Sequence, residues 1–246
     1  MGIKLGKLKN YFNNDELASN VWLTKYALKD KSGKVLEETP DDMHNRIASE
    51  FARIEEKFGG NSALTREQIF DLIKNFDYIV PQGSPMMGIG NNHVNVSLSN
   101  CVVVASPEDN ISAIIDSSKD LANLFKRRCG VGLDLSQLRP EGTPVNNSAG
   151  TTTGAWSFAD LYSYVCRMIG QNGRRGALMI SMDIRHPDIE KFVTMKHDLT
   201  KVTGANVSVK ISDEFMEAVQ DNGSFTLRFP VDAENPKYTR EIDAAS

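Results

Sequence analysis

One change in hydrophobic period divides this chain. Over residues 1–94 the apolar side chains recur at helical spacing, whereas over 95–246 short extended runs alternate with helical stretches. The first pattern makes amphipathic helices and the second an α/β layer structure, because each element must lay its apolar face against a neighbour. In the N-terminal region Thr39 is placed to cap a helix, Pro40 suits its first position, and Asp41 and Asp42 favour the positive end of the helix dipole. Met43, Ile47, Phe51, Ile54 and Phe58 then form one apolar stripe that ends at Gly59-Gly60. Thr65-Arg66-Glu67-Gln68 reads as a capping box ahead of Ile69, Leu72, Ile73 and Phe76, and the breaker cluster Pro81-Gln82-Gly83-Ser84-Pro85 closes the region.

Beyond Asn95, Cys101-Val102-Val103-Val104 predicts a short buried strand. Pro107-Glu108-Asp109 predicts the start of a helix that buries Ile111, Ile114, Ile115, Leu121, Leu124 and Phe125, and 130–135 returns to extended structure. Residues 139–154 hold too many turn formers for a regular element, and long loops in compact domains are usually functional. Ser157 with Asp160 predicts the opening of another helix, which runs into the glycine-rich stretch 170–176. A strand over 177–184, a short helix from Pro187-Asp188 to Phe192 and a strand carrying Val207, Val209 and Ile211 follow. Asn222-Gly223 predicts a turn between Phe215-Met216 and the run from Phe225 to Phe229. An open sheet and a closed barrel fit this pattern equally.

Composition removes several functions. Lys and Arg total 28 against 32 acidic residues, a net charge of -4, so no footprint for nucleic acid is present. No run of apolar residues is long enough for a membrane span and no signal-type segment opens the chain, which predicts a cytoplasmic protein. The three cysteines, Cys101, Cys129 and Cys166, lack metal-ligand spacing, so neither a metal site nor a disulfide scaffold is expected. No Gly-x-x-x-x-Gly-Lys phosphate loop occurs, and Gly130-x-Gly132 lacks the third glycine of a dinucleotide fingerprint. Arg174-Arg175 inside 170–176 suits an anion, although a solvated basic turn accounts for it as well. Taken locally, each cysteine reads as a small core residue and His186 as an exposed residue at a helix start with no assigned role.

The ordered series Ser99-Asn100-Cys101, Pro107-Glu108-Asp109-Asn110, Gly130-Val131-Gly132, Leu138-Arg139-Pro140-Glu141-Gly142, Gln171 to Ala177 and His186-Pro187-Asp188-Ile189 is more specific than any one segment. In this order and spacing it resembles the catalytic subunit of ribonucleotide reductase. The resemblance covers roughly residues 15–230. It implies a helical N-terminal region followed by the first half of a ten-stranded α/β barrel built from two five-stranded halves. It also implies radical chemistry in which a cysteine pair becomes a disulfide as the ribose loses its 2′ hydroxyl.

By residue-wise matching, the resemblance makes Cys101 one of that redox pair. It places Ser84, Asn100, Cys129, Gly130 and Arg175 at the substrate. Asp109, Asn110, Ile111, Arg139, Asn146 and Arg174 fall at a specificity effector, a deoxynucleoside triphosphate or ATP, with Glu108 competing with Asp109 for its position. The loop 170–177 would lie between effector and substrate. The family's radical cysteine, second redox cysteine and C-terminal cysteines have no counterpart here. The resemblance therefore implies a chain inactive alone, as one piece of a split or truncated reductase. Implied partners are the C-terminal half of the catalytic subunit, a second copy through the effector region, and thioredoxin or glutaredoxin as reductant. The chain would bind no cofactor directly, the radical coming from a metal-containing second subunit or from adenosylcobalamin. Two rival readings stand beside this one, a non-catalytic nucleotide-binding regulatory module and a generic α/β domain for another phosphorylated ligand.

Overall fold

Helices build the N-terminal part of the computed structural model, which describes residues 2–169 and 176–245. They are α1 (Gly2–Tyr11), α2 (Glu16–Lys25), α3 (Pro40–Phe58), α4 (Arg66–Ile73) and α5 (Gly83–Gly88). These belong to a first compact unit, Met1–Asn100. Helix α3 starts where Asp42 accepts the backbone N–H of Thr39 at 3.1 Å, satisfying a donor that the helix cannot pair internally. The capping box of α4 is present in both directions, Thr65 N–H to Gln68 Oε1 at 2.8 Å and Gln68 N–H to Thr65 Oγ1 at 3.2 Å. Thr65→Ala is accordingly expected to cost about 1 kcal/mol, read as a lowered thermal midpoint of this unit. Met43, Ile47, Ile69 and Ile73 meet Leu8 and Trp22 in its core.

Two expectations for this unit need correction. The stripe on α3 buries only its first half, since Phe51, Ile54 and Phe58 are exposed, the last by 83%. The buried residues of α3 all lie between Pro40 and Ala48, so helical period alone overextends the stripe. The breaker cluster also does not simply end the region, because Gly83 to Gly88 form α5, with Pro85 in the first turn where its missing N–H costs nothing.

The second unit, Cys101–Ser246, holds β1 (Cys101–Val103), α6 (Ile111–Phe125), β2 (Gly130–Asp134), α7 (Ala155–Met168), β3 (Leu178–Asp183), α8 (Ile189–Thr194), β4 (Asn206–Lys210), α9 (Asp213–Gln220), β5 (Ser224–Phe229) and β6 (Tyr238–Asp243). Strands β1 to β4 make one sheet in sequential order, every pair parallel. Sequential order with helical crossovers of one hand keeps the helices on one face, the winding of a barrel wall rather than of a doubly wound open sheet. That choice lies beyond the pattern of the sequence. Val131, Leu133, Leu178, Ile180 and Met182 point to the helix side and join Leu121, Phe125, Ala159, Tyr162 and Phe192 in one core. Cys101, Val103, Gly132, Met179, Ser181 and Ser208 alternate onto the opposite face.

Among the described residues the sheet has four strands where the resemblance implies five. Strand β5 pairs instead with β6, antiparallel from Ser224↔Asp243 to Phe229↔Tyr238, so its backbone groups are satisfied within a hairpin. The element before Asn222-Gly223 is α9, capped by Ser212, and the strand β6 escapes prediction because its residues alternate weakly and are mostly exposed. Helix α6 begins at Ile111 with Asn110 as its cap, its side chain accepting Ala113 N–H at 2.9 Å, rather than at Pro107. Ile111 and Ile115 of α6 are exposed, contrary to the predicted buried face. Helix α7 opens at Ala155 after Gly154, ahead of the predicted Ser157.

Candidate functional site

Strand pairing sets Cys101 beside Gly130 at the N-terminal end of the sheet. The Cys101 thiol is exposed, which corrects its local reading as a core cysteine: β1 is an edge strand, and residue 101 falls on the face away from the helices. Cys129 and Cys166 are buried, as that reading expects. Burial pushes the Cys166 thiol up, and Gly176 packs against it so closely that an added Cβ would lie 2.7 Å from its sulfur. Cys129 lies next to Gly130 with its thiol donating to that residue's carbonyl at 3.3 Å. Its side chain points into protein, so any contact with a ligand at this end falls to backbone.

In the first unit Ser84 and Asn100 are brought together. Ser84 is buried, and its N–H donates to Asn100 Oδ1 at 2.7 Å. The helix carrying Ser84 is held by Arg46, which donates to the carbonyls of Met86, at 2.8 Å, and Ile89. Arg46 pairs with Glu37 at 2.7 Å, and Glu37 also accepts Leu28 N–H at 2.7 Å. Sequence reasoning misses this pair, because a lone Arg and a lone Glu nine positions apart look like surface charges. Both are largely buried here.

At the opposite, C-terminal end of β1 and β2, Arg139 meets Asp109. The guanidinium Nε donates to Asp109 Oδ2 at 2.7 Å, the Arg139 N–H to Oδ1 at 3.2 Å, and Nη2 to the Asp109 carbonyl at 3.1 Å. Asp109 and not Glu108 is therefore the residue engaged with Arg139; Glu108 is exposed and faces Asn110. A cleft of about 410 Å³ opens alongside, lined by Ser106, Glu108, Asn110, Ser112, Asp116 and Asp120 among others. Ile111 is exposed beside it.

Residues 142–152 form a two-stranded arm. Gly142 N–H bonds the Thr152 carbonyl, Thr152 N–H bonds the Thr143 carbonyl, Pro144 bridges Thr151, and Val145 N–H bonds the Gly150 carbonyl. The predicted irregular loop is thus partly ordered by its own backbone, with Asn146 exposed near its tip. Arg174 and Arg175 lie outside the described residues.

The mouth of the sheet beyond β2 and β3 carries further charge that sequence reasoning does not single out. Asp134 accepts Ser181 Oγ at 2.7 Å and pairs with Lys210 at 3.1 Å, while Asp183 takes a two-pronged bond from Arg185 at 2.8 and 2.7 Å. Burial pushes the Asp183 carboxyl up, but Arg185 and Lys210 outweigh it and leave the group below the usual carboxylate range. His186 is wholly buried, not the exposed residue expected at a helix start, since it lies under the Leu138 carbonyl and edge-on to Phe229. Among the described residues no cluster of His, Cys, Asp or Glu could hold a metal ion, and no helix is long and apolar enough to cross a membrane.

Residues 99–245 match the family profile described as ribonucleotide reductase, barrel domain, and residues 12–93 that described as ribonucleotide reductase, all-alpha domain. The chain belongs to the ribonucleotide reductase family. It is 32% identical over 216 residues to a vitamin B12-dependent ribonucleoside-diphosphate reductase of Mycobacterium tuberculosis, covering 87% of this chain and 30% of that relative. It is 28% identical over 279 aligned positions to the enzyme of the same name from Thermoplasma acidophilum, covering 92% of this chain and 35% of the relative. A ribonucleoside-diphosphate reductase large chain of Neurospora crassa shares 30% identity over 139 residues, 54% of this chain and 15% of its own length. The chain thus spans about a third or less of the length of these relatives.

Proposed function

We propose that this chain is the N-terminal portion of a ribonucleotide reductase catalytic subunit, and that Cys101 supplies reducing equivalents to the ribose. The observation that carries the reading is the exposure of Cys101 on the open face of a parallel sheet, next to Gly130. Parallel sheets normally bury both faces. In this reading the C-terminal half of the catalytic subunit covers the open face and brings the second redox thiol. The chemistry then balances: the ribose C2′–O bond breaks, the hydroxyl leaves as water, a C2′–H bond forms, and two thiols give up two hydrogens as their sulfurs join. Thioredoxin or glutaredoxin would restore the thiols. The radical comes from outside this chain, from adenosylcobalamin, as the names of the Mycobacterium and Thermoplasma relatives suggest, or from a metal-containing second subunit.

The Asp109–Arg139 end takes a nucleoside triphosphate effector in this proposal. Asp109, Asn110 and Ile111 face its ribose and base, Arg139 and the arm near Asn146 its phosphates, and Arg174 assists. Arg175, with Ser84, Asn100, Gly130 and the backbone around Cys129, would serve the substrate. A guanidinium matches phosphate oxygens in pairs, and Arg139 is already oriented by Asp109. Exposed Ile111 and Ile115 in the first turns of α6 offer an apolar surface for a second copy beside this end. Five-residue β2 separates the two ends by roughly 15 Å at ~3.3 Å per residue. That distance suits coupling through a rigid element rather than direct contact between ligands.

The experiment mixes the chain with the C-terminal two-thirds of a relative and measures deoxynucleotide formation with and without dNTP effectors. Product that requires both pieces is the expected result; absence of product with every candidate piece and radical source would sink the reading. Arg139→Ala is expected to weaken triphosphate binding by about 10- to 100-fold, the loss of a charge-assisted contact worth ~1.5–3 kcal/mol, as measured by calorimetry.

A further inference from the structure

The arm is fastened at both ends to a single turn. Asp188 is buried, and its carboxylate accepts Glu141 N–H at 3.1 Å to each oxygen and Ala155 N–H at 3.1 Å to Oδ2. His186 Nδ1 accepts Asp188 N–H at 3.0 Å, and Nε2 lies 2.8 Å from the Leu138 carbonyl. With Nδ1 already an acceptor, the ring is the neutral tautomer that carries its proton on Nε2 and donates to Leu138. Residues 138 and 141 at the start of the segment and 155 at its end therefore bond to one His-Pro-Asp turn.

Gly154 completes the junction. Its φ is +89°, and a Cβ there would come 2.6 Å from Asp188 Oδ2 and 2.8 Å from the Glu141 nitrogen. Only glycine lets the two ends of the segment close on the carboxylate. Arg139 stands between the two anchored backbone groups, Leu138 C=O and Glu141 N–H, so the turn holds the backbone from which its guanidinium reaches Asp109.

We propose that Asp188, seated by His186, is a positioning residue for nucleotide binding: it holds Arg139 and the 142–152 arm in the geometry that receives triphosphate oxygens, without touching the nucleotide itself. The inference rests on the reading of the Asp109–Arg139 end as a triphosphate site. Its physical basis is pre-organisation. A segment of this length free at either end would have to be ordered by the ligand, at a cost in affinity, whereas a buried carboxylate bonded to both ends meets that cost during folding. The group must be a carboxylate, because both of its oxygens accept; an amide would present its NH₂ to a backbone N–H.

The test titrates the 246-residue chain with dATP, dTTP and dGTP in Mg²⁺ by calorimetry and follows amide hydrogen exchange. In Asp188→Asn and, separately, Gly154→Ala, Kd is expected to rise by about tenfold or more for all three nucleotides. Exchange should accelerate across 142–152 and stay unchanged in β2 and β3. Gly154→Ala removes no hydrogen-bonding group and decides the matter if Asp188→Asn does not fold. Affinities within about twofold of the unmodified chain, with the arm exchanging faster, would show the clamp to be merely structural and overturn the inference. An unmodified chain that binds none of the three nucleotides would instead overturn the underlying reading of the site, and the inference with it.

Discussion

Cys101→Ser is expected to abolish deoxynucleotide formation by the assembled reductase, a loss of about three orders of magnitude or more, equivalent to ~4 kcal/mol or more of transition-state stabilisation. A serine hydroxyl has nearly the shape of the thiol but cannot surrender its hydrogen and close to a disulfide, so the reducing half of the reaction has no route. The substitution sits on an exposed edge strand, away from the helix-covered core, and should leave thermal unfolding and triphosphate binding unchanged. Cys129→Ser and Cys166→Ser provide the contrast. Both residues are buried, and their replacement should lower stability while sparing chemistry. A quantitative assay of 2′-deoxy product under single-turnover and steady-state conditions distinguishes these outcomes, and retention of more than about a tenth of the activity in Cys101→Ser would remove the redox role.

The second large effect is on stability. Phe125→Ala is expected to cost about 3–5 kcal/mol, because a wholly buried aromatic side chain is removed from a core that cannot collapse to fill the space. Phe125 closes the last turn of α6, and a Cβ added to Gly176, where the chain returns toward β3, would be in ordinary van der Waals contact with its ring at 3.5 Å. Tyr162 of α7 reaches across to the Ile114 carbonyl at 3.1 Å, so α6 and α7 move together. With a urea dependence of roughly 2 kcal/mol per molar, the transition of the second unit should shift down by about 2 M. A shift below about 0.5 M would mean that this region is loosely packed, and the rigid connection between the two ends of β2 would lose its basis.

Local chemistry is the most legible part of the sequence. Thr39 and Thr65 mark their helices because a cap is satisfied within a few residues, and Cys101 to Val103 reads as a strand whichever neighbour it acquires. Burial is less legible. Phe51, Phe58, Ile111 and Ile115 keep helical spacing yet stay exposed, because period shows which residues share a face and not whether another element covers it. The start of helix α7 is displaced in the sequence pattern because Ser157 looks like a cap, whereas its first N–H, that of Ala155, is met by Asp188, far along the chain. His186 and Asp188 belong to a recognisable motif that by itself suggests no role, since neither their burial nor their partners leave a trace in neighbouring residues.

The sequence by itself determined the kind of molecule: the helical and α/β regions, the positions of most elements, and the ordered segments that place the chain among ribonucleotide reductases. These follow from contacts a few residues apart and from motifs kept in order. Tertiary structure alone decided which cysteine is exposed, that Asp109 rather than Glu108 engages Arg139, and that one buried turn fastens both ends of the 139–154 segment. The reason is that each of these depends on pairing across 30 or more residues or on which face of the sheet the helices cover, and a linear pattern carries neither.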